Sequence, residues 1–213
     1  MAYEGIKQGS DAWHQCRNGK VTASRIIDVL AKIKSGEAAT RRNYRAQLIA
    51  ERLSTCPTET FTNTAMQWGI EQEDSARQLY SFLSGNDVDE VAFVDHPSIG
   101  MAGASPDGLV GECGLVEIKC PNTATHLDYF MGDTAPAQYV PQMQWQMACT
   151  GRKWCDFVSY DPRVGIDYQI VIFRVERDDS YIASVEKEVT AFIKEVDEQM
   201  AQMEAKRLAR EAA

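Results

Sequence analysis

The stretch of this chain that leaves the fewest choices of fold is SPDGLVGECGLVEIK, residues 105–119. Its last six residues alternate as a strand does, so Val116 and Ile118 face the core while Leu115, Glu117 and Lys119 face the other way. A carboxylate and an ammonium therefore share one strand face. Ten positions before Glu117, Asp107 stands between Pro106 and Gly108, a turn signal, and a hairpin would return it beside Glu117. Two carboxylates at short range repel each other unless a cation neutralises them. Two hard oxygen ligands plus a backbone carbonyl suit Mg²⁺, which keeps its other positions for water and a substrate phosphate. Lys119 would orient or help deprotonate an attacking water. Glu-x-Lys alone is what any surface hairpin with a cross-face ion pair shows. The Pro-Asp at this spacing, on a mostly apolar strand, turns the reading to a metal site.

The rest of the chain mixes helix and strand signals, with no internal repeat and no low-complexity segment. Thr22 reads as an N-cap before a stripe of Ile26, Ile27, Leu30 and Ile33, and Thr40 as the cap of a basic helix with Tyr44, Leu48 and Leu53 toward the core. A third helix is expected over 64–84, ended by Gly85, and a fourth from Pro136 to Thr150, ended by Gly151. Strands are expected at 88–94, 114–119, 154–160 and 168–175. Ile182, Val185, Val189, Phe192, Val196, Met200 and Met203 keep the 3.6-residue period, giving a long C-terminal helix over about 179–205 that frays after Glu204. No linker divides the 213 residues, so one domain spanning 1–213 is expected.

Charge and cysteines narrow the partners. The net charge of −9 argues against nucleic acid, but residues 1–53 hold ten Lys/Arg and five Asp/Glu, so that segment is +5 and the remainder −14. A basic helical N-terminal segment of this kind is either a solvated face or a polyanion-facing surface. The cysteines at 16, 56, 113, 120, 149 and 155 form no C-x-x-C pair, which argues against a zinc ribbon and leaves reduced thiols, several of them core fillers. No apolar run approaches membrane-spanning length, and a secretory leader is not evident, so a cytoplasmic location is expected.

Six segments in order, DAWHQCRNGKVTAS, WGIEQEDSAR, SPDGL, VEIKCP, QMQWQM and YDPR, resemble the phage lambda-type 5′→3′ exonucleases, viral recombination nucleases of the PD-(D/E)xK superfamily. Pro106-Asp107 with Glu117-Ile118-Lys119 looks like that superfamily's core motif. The resemblance implies an α/β (mixed α+β) fold with a restriction-endonuclease-like core, a central mixed sheet flanked by helices. Asp107, Glu117 and the carbonyl of Ile118 would hold Mg²⁺, with Mn²⁺ able to replace it and two ions per site, and Lys119 would activate water. Glu73 matches a helical acidic residue beside the metals, although Glu71 and Asp74 read equally well from the residues alone. Gln144 matches an active-site glutamine, although Gln142 and Gln146 decorate the same helix. Arg17, Ser24 and Ser105 match the receptors of a 5′-terminal phosphate, as the chemistry of guanidinium and hydroxyl groups allows. Lys34 matches a groove-reaching basic residue, and Met66 an apolar wedge between the terminal base pairs. Thr125 departs from the pattern, standing where a basic residue is usual.

The function implied is a Mg²⁺-dependent, processive exonuclease that degrades the 5′ strand of linear duplex DNA to 5′-mononucleotides and leaves a 3′ overhang. Its partners would be duplex ends, two further copies of the chain in a ring-shaped trimer, and a phage single-strand annealing protein. Its place would be the cytoplasm of a bacterial host. A sequence- or structure-specific endonuclease of the same superfamily, or a non-catalytic DNA-binding module, would share much of this pattern.

Overall fold

A computed structural model describes residues 3, 5–54 and 64–212, apart from the side chains of Ala65 and Met66. In chain order the elements are Asp11–Arg17 (α1), Val21–Thr22 (β1), a 3₁₀ turn at Ala23–Arg25 leading into Ile26–Val29 (α2), Ala39–Ser54 (α3) and Thr64–Ser84 (α4). Short strands Val88–Asp89 (β2), Val94–Asp95 (β3), Ala102–Ala104 (β4) and Gly108–Val110 (β5) precede Gly114–Lys119 (β6). Thr123–Phe130 (α5), Val140–Thr150 (α6), Trp154–Tyr160 (β7), Ile170–Glu176 (β8) and Asp179–Glu211 (α7) complete the chain.

The strands form a mixed five-stranded sheet in the order β2-β5-β6-β7-β8 and a three-stranded sheet in the order β1-β4-β3. Within the larger sheet β6 and β7 run parallel, and the crossover between them contains α5 and α6. Helix α6 covers one face, where Leu115 and Phe157 meet Met143 and Met147. Helix α4 covers the other, where Val116, Ile118 and Val158 meet Ala76 and Tyr80. Strand β6 is thus buried on both sides, including the Leu115–Glu117 face. A third core joins the small sheet, α2, α3, α6 and α7 through Val21, Ile26, Leu48, Trp145 and Phe192. All seven residues from Met143 to Cys149 are buried, so α6 is enclosed between these layers. A polar pin adds to the α4 packing: Tyr80 donates to buried Asp156 at 2.7 Å, and Arg174 binds the same carboxylate at 2.8 and 2.9 Å.

Local chemistry sets the ends of these helices. Ser10, Asn122 and Asp178 accept from backbone N–H groups in the first turns of α1, α5 and α7. Gly151, at φ 72°, ends α6 in the left-handed conformation that glycine adopts without steric cost. Other expectations shift. The Ile26–Ile33 stripe is not one helix: α2 stops at Val29, the chain turns through a polar stretch containing Gly36 (φ 82°), and Ile27 and Ile33 are left 48% and 56% exposed. The 88–94 strand divides, because Val88–Asp89 pairs with β5 whereas Val94–Asp95 pairs with β4 of the other sheet. Helix α7 does not fray at Glu204, since Arg207 bridges Glu204 and Glu211 one turn away on either side.

The basic N-terminal quarter is largely neutralised within the chain. Arg41 and Arg45 both bind Glu37 and Glu195, Arg52 binds Asp197, and Lys32 binds Glu188, so the side chains of α3 and the preceding loop are stapled to the acidic flank of α7. Cys149 and Cys155 occupy core positions, and Cys56 lies outside the described residues. Among the described residues no helix is long and apolar enough to cross a membrane.

Candidate active site

The hairpin of β5 and β6 brings the acidic residues together. Gly108 pairs with Val116, so the next step of the antiparallel register sets Asp107 opposite Glu117. The Ile118 N–H donates to Asp107 Oδ2 at 2.7 Å, which fixes the side chain at that edge. A residue's carbonyl leaves a strand on the same edge as its N–H, so the Ile118 carbonyl shares the side on which Asp107 stands. Lys119 Nζ forms a salt bridge with Glu117 Oε1, and its ammonium lies 5.4 Å from the Tyr139 ring centroid.

Burial and the neighbouring Lys119 charge oppose each other at Asp107. Burial first, and then the Glu117 charge, push the Asp107 carboxyl well above the usual carboxylate range, against the pull of Lys119. Burial alone would lower the Lys119 ammonium, but the Glu117 and Asp107 charges outweigh it and raise it. Lys119 is therefore an ammonium here, suited to hold a water or a phosphate oxygen. Among the described residues no three His, Cys, Asp or Glu side chains stand together closely enough to hold an ion. The oxygens that could hold an ion are the two carboxylates and the Ile118 carbonyl, hard donors of the kind that suit Mg²⁺ or Mn²⁺ with waters completing the shell.

Helix α6 supplies two residues that the sequence pattern marks only as decoration. Gln142 Nε2 donates to Glu117 Oε1 and Gln146 Nε2 to Glu117 Oε2, each at 2.5 Å. They are four residues apart, one turn, and so share a face. Gln144, expected in the site, is turned away from it: it donates to the Glu176 carbonyl at 2.8 Å and accepts from the Asp178 N–H at 3.0 Å, closing the junction between β8 and α7. The spacing of Gln142 and Gln146, with Tyr139 a turn earlier, was the available signal.

Glu73 lies on α4 at the margin of the site. It accepts from Arg77 at 3.2 Å, and Arg77 also donates to the Asp107 carbonyl at 3.1 Å. Burial raises the Glu73 carboxyl, opposed in part by Arg77 and Lys119. Glu71 and Asp74 are exposed. Of the three acids offered by the helix, Glu73 is the one whose charge is felt at Asp107.

The expected phosphate receptors divide into two groups. Arg17 Nη1 and Trp13 Nε1 both donate to Ser105 Oγ at 3.0 Å, so Arg17 and Ser105 sit together, two residues before Asp107 in the chain. Ser24 is exposed in the 3₁₀ turn before α2 and lines a hollow of about 260 Å³ with Ile27, Gln138, Tyr139 and Gln142. The hollow's wall thus carries Tyr139 and Gln142, which touch Lys119 and Glu117. Thr125 is in the first turn of α5, its N–H capped by Asn122. Lys34 is exposed in the loop between α2 and α3. The side chain of Met66 lies outside the described residues.

The YqaJ-like viral recombinase domain matches residues 12–153, which is 142 of the chain's 213. The alkaline exonuclease LHK-Exo of Laribacter hongkongensis, in its complex with dAMP, is 48% identical and superposes with a TM-score of 0.88 over 96% of this chain and 100% of that one. A phage related exonuclease from Haemophilus somnus 129PT, 14% identical, shares the fold with a TM-score of 0.65 over 89% of this chain and 99% of that one. The ExoD protein of Escherichia coli K12 is 34% identical over 68 residues, 30% of this chain and 74% of that protein. The mixed sheet flanked by helices is the restriction-endonuclease-like core of lambda-like exonucleases. The match over residues 12–153 shows that this chain belongs to the YqaJ-like viral recombinase family, and with the 48% identity to an alkaline exonuclease the resemblance to the phage lambda-type exonucleases stands.

Proposed function

We propose that the chain is a divalent-metal-dependent nuclease that removes 5′-mononucleotides from the ends of linear duplex DNA and leaves a 3′ single strand. The observation that carries this reading is the Asp107–Ile118 bond, with the register that sets Asp107 opposite Glu117 near the end of β6, where the Ile118 carbonyl and Lys119 also stand. The 48% identity to a protein described as an alkaline exonuclease supports it. Asp107, Glu117 and the Ile118 carbonyl would hold the ion, whose chemistry is to polarise the scissile phosphate and lower the pKa of a bound water. Gln142 and Gln146 hold the Glu117 carboxylate in place by both oxygens. Lys119 orients the attacking water and offsets the charge that develops on the phosphate. Arg17 with Ser105, and separately Ser24 on the hollow beside Tyr139 and Gln142, receive the terminal phosphate and so set the distance from the DNA end to the cut. Enclosure in a trimeric ring would supply processivity, and a single-strand annealing protein would take the exposed strand.

The test uses blunt linear duplex labelled at either 5′ or 3′ end, beside a closed circle, with Mg²⁺ or with chelator. Early mononucleotide release from the 5′ end, an intact circle and no activity in chelator are expected. Cleavage of the circle would favour an endonuclease, and release first from 3′ ends or metal-independent release would defeat the reading. Solution mass near three times the 23.8 kDa chain is the result expected for the ring.

A further inference from the structure

Arg77 is the cation on α4 that touches both sides of the site. Its side chain is only 13% exposed. Nε donates to the Asp107 carbonyl at 3.1 Å and Nη2 to Glu73 Oε1 at 3.2 Å, while Nη1 faces Asp74 and Glu90, each at 3.3 Å. One planar group thus ties the backbone of the Pro106–Asp107 turn to the acidic residue one helical turn earlier on α4. The hairpin and α4 otherwise meet through apolar side chains, Val110, Val116 and Ile118 against Ala76 and Tyr80, which fix the spacing of the layers without aiming any oxygen. A forked donor can do that, because its two N–H vectors are set in one rigid plane.

We propose that Arg77 is a positioning residue: by bridging Asp107 and Glu73 it holds both acidic residues in the geometry that binds the catalytic divalent ion. The inference rests on the metal site of the proposed function. It also separates geometry from charge. As a bare positive charge, Arg77 repels a divalent ion, so its removal should tighten metal binding. As a fork that aims the oxygens, its removal should weaken it. Residues that orient metal ligands by hydrogen bonds typically contribute about 10- to 100-fold in metal affinity.

Calorimetric titration of the metal-free protein with Mn²⁺ decides, on the parent, Arg77→Gln, Arg77→Lys and Asp107→Asn. Both Arg77 variants should bind Mn²⁺ about tenfold or more weakly. Lysine keeps the charge and loses the fork, so it should not restore affinity. A merely structural role would lower the melting temperature of the metal-free protein and leave the affinity of the folded fraction unchanged. Should Arg77→Gln fail to fold, Arg77→Lys carries the test alone. Equal or tighter binding in the Arg77 variants, or full rescue by lysine, overturns the proposal while the loss of binding in Asp107→Asn keeps the metal site. Undiminished Mn²⁺ binding by Asp107→Asn overturns the site and the role of Arg77 with it.

Discussion

Asp107 stands where function and stability pull in opposite directions. Its side chain is half-buried beside Glu117, and among the described residues Lys119 and the Ile118 N–H favour its charge. The folded state therefore holds its proton more tightly than the unfolded chain does. Stability from this group is complete below the ordinary aspartate value of about 4 and is lost as pH rises toward the elevated folded value. Asparagine keeps an acceptor for the Ile118 N–H and carries no charge. Metal-free Asp107→Asn should thus melt above the parent at pH 8, by about 2–4 °C for each kcal/mol of repulsion removed, and the gap should close as pH falls to about 4. Melting curves in chelator across that range check it. A variant that melts lower at pH 8 would mean that the Asp107 charge is stabilised in the fold rather than stored for a cation. Sites evolved to bind an ion commonly carry such strain.

Strand β4 is the element that delivers the site, because it runs directly into Ser105, Pro106 and Asp107. Gly103 lies at its centre, and a Cβ added there would meet the Phe93 ring at 2.3 Å and the Val94 carbonyl at 2.7 Å. A ring alone could turn aside, but a paired backbone carbonyl gives way only if β3 separates from β4. Gly103→Ala should therefore cost about 1–3 kcal/mol of stability, as overpacking does, and reduce activity by misplacing the residues that follow. Chemical denaturation beside an activity assay measures both. None of this was legible in the sequence, where AGA between Met101 and Ser105 carries no β-branched or alternating signal. The hairpin of β5 and β6 was legible in part: the alternation of GLVEIK is a local signal, but its turn falls at 111–113, and Pro-Asp-Gly instead joins β4 to β5. The right glutamine on α6 was not. QMQWQM places a polar residue at every second position, and which of them meets Glu117 depends on how the helix is rotated between three cores. Resemblance pointed to Gln144, while the packing turns Gln142 and Gln146 inward to the site.

At the scale of the whole chain, a charge count misleads about where DNA would lie. The +5 of residues 1–53 suggests a basic surface, yet Arg41, Arg45, Arg52 and Lys32 face carboxylates of α7 or of the Glu37 loop. The Arg41 and Arg45 network is partly buried, and Arg41 also lies 4.9 Å over the Phe192 ring, so these arginines hold α3 on α7. What is left for a polyanion in this segment is smaller and more local: Lys7, Lys34 and Arg42, exposed and without an ion pair among the described residues, and Arg17 beside Ser105. Salt dependence tells the two groups apart, because removing one phosphate-binding cation lowers the slope of log affinity against log salt by about one. With Ca²⁺ in place of Mg²⁺ to hold back turnover, Lys34→Ala should weaken binding to labelled duplex ends and flatten that slope by about one, with the melting temperature unchanged. Arg45→Ala should do the reverse, lowering the melting temperature and leaving the slope intact. Fluorescence anisotropy over a salt series reads both. If Arg45→Ala flattens the slope as much as Lys34→Ala, the α3–α7 staple opens to meet DNA, and the basic quarter of the chain is a binding surface after all.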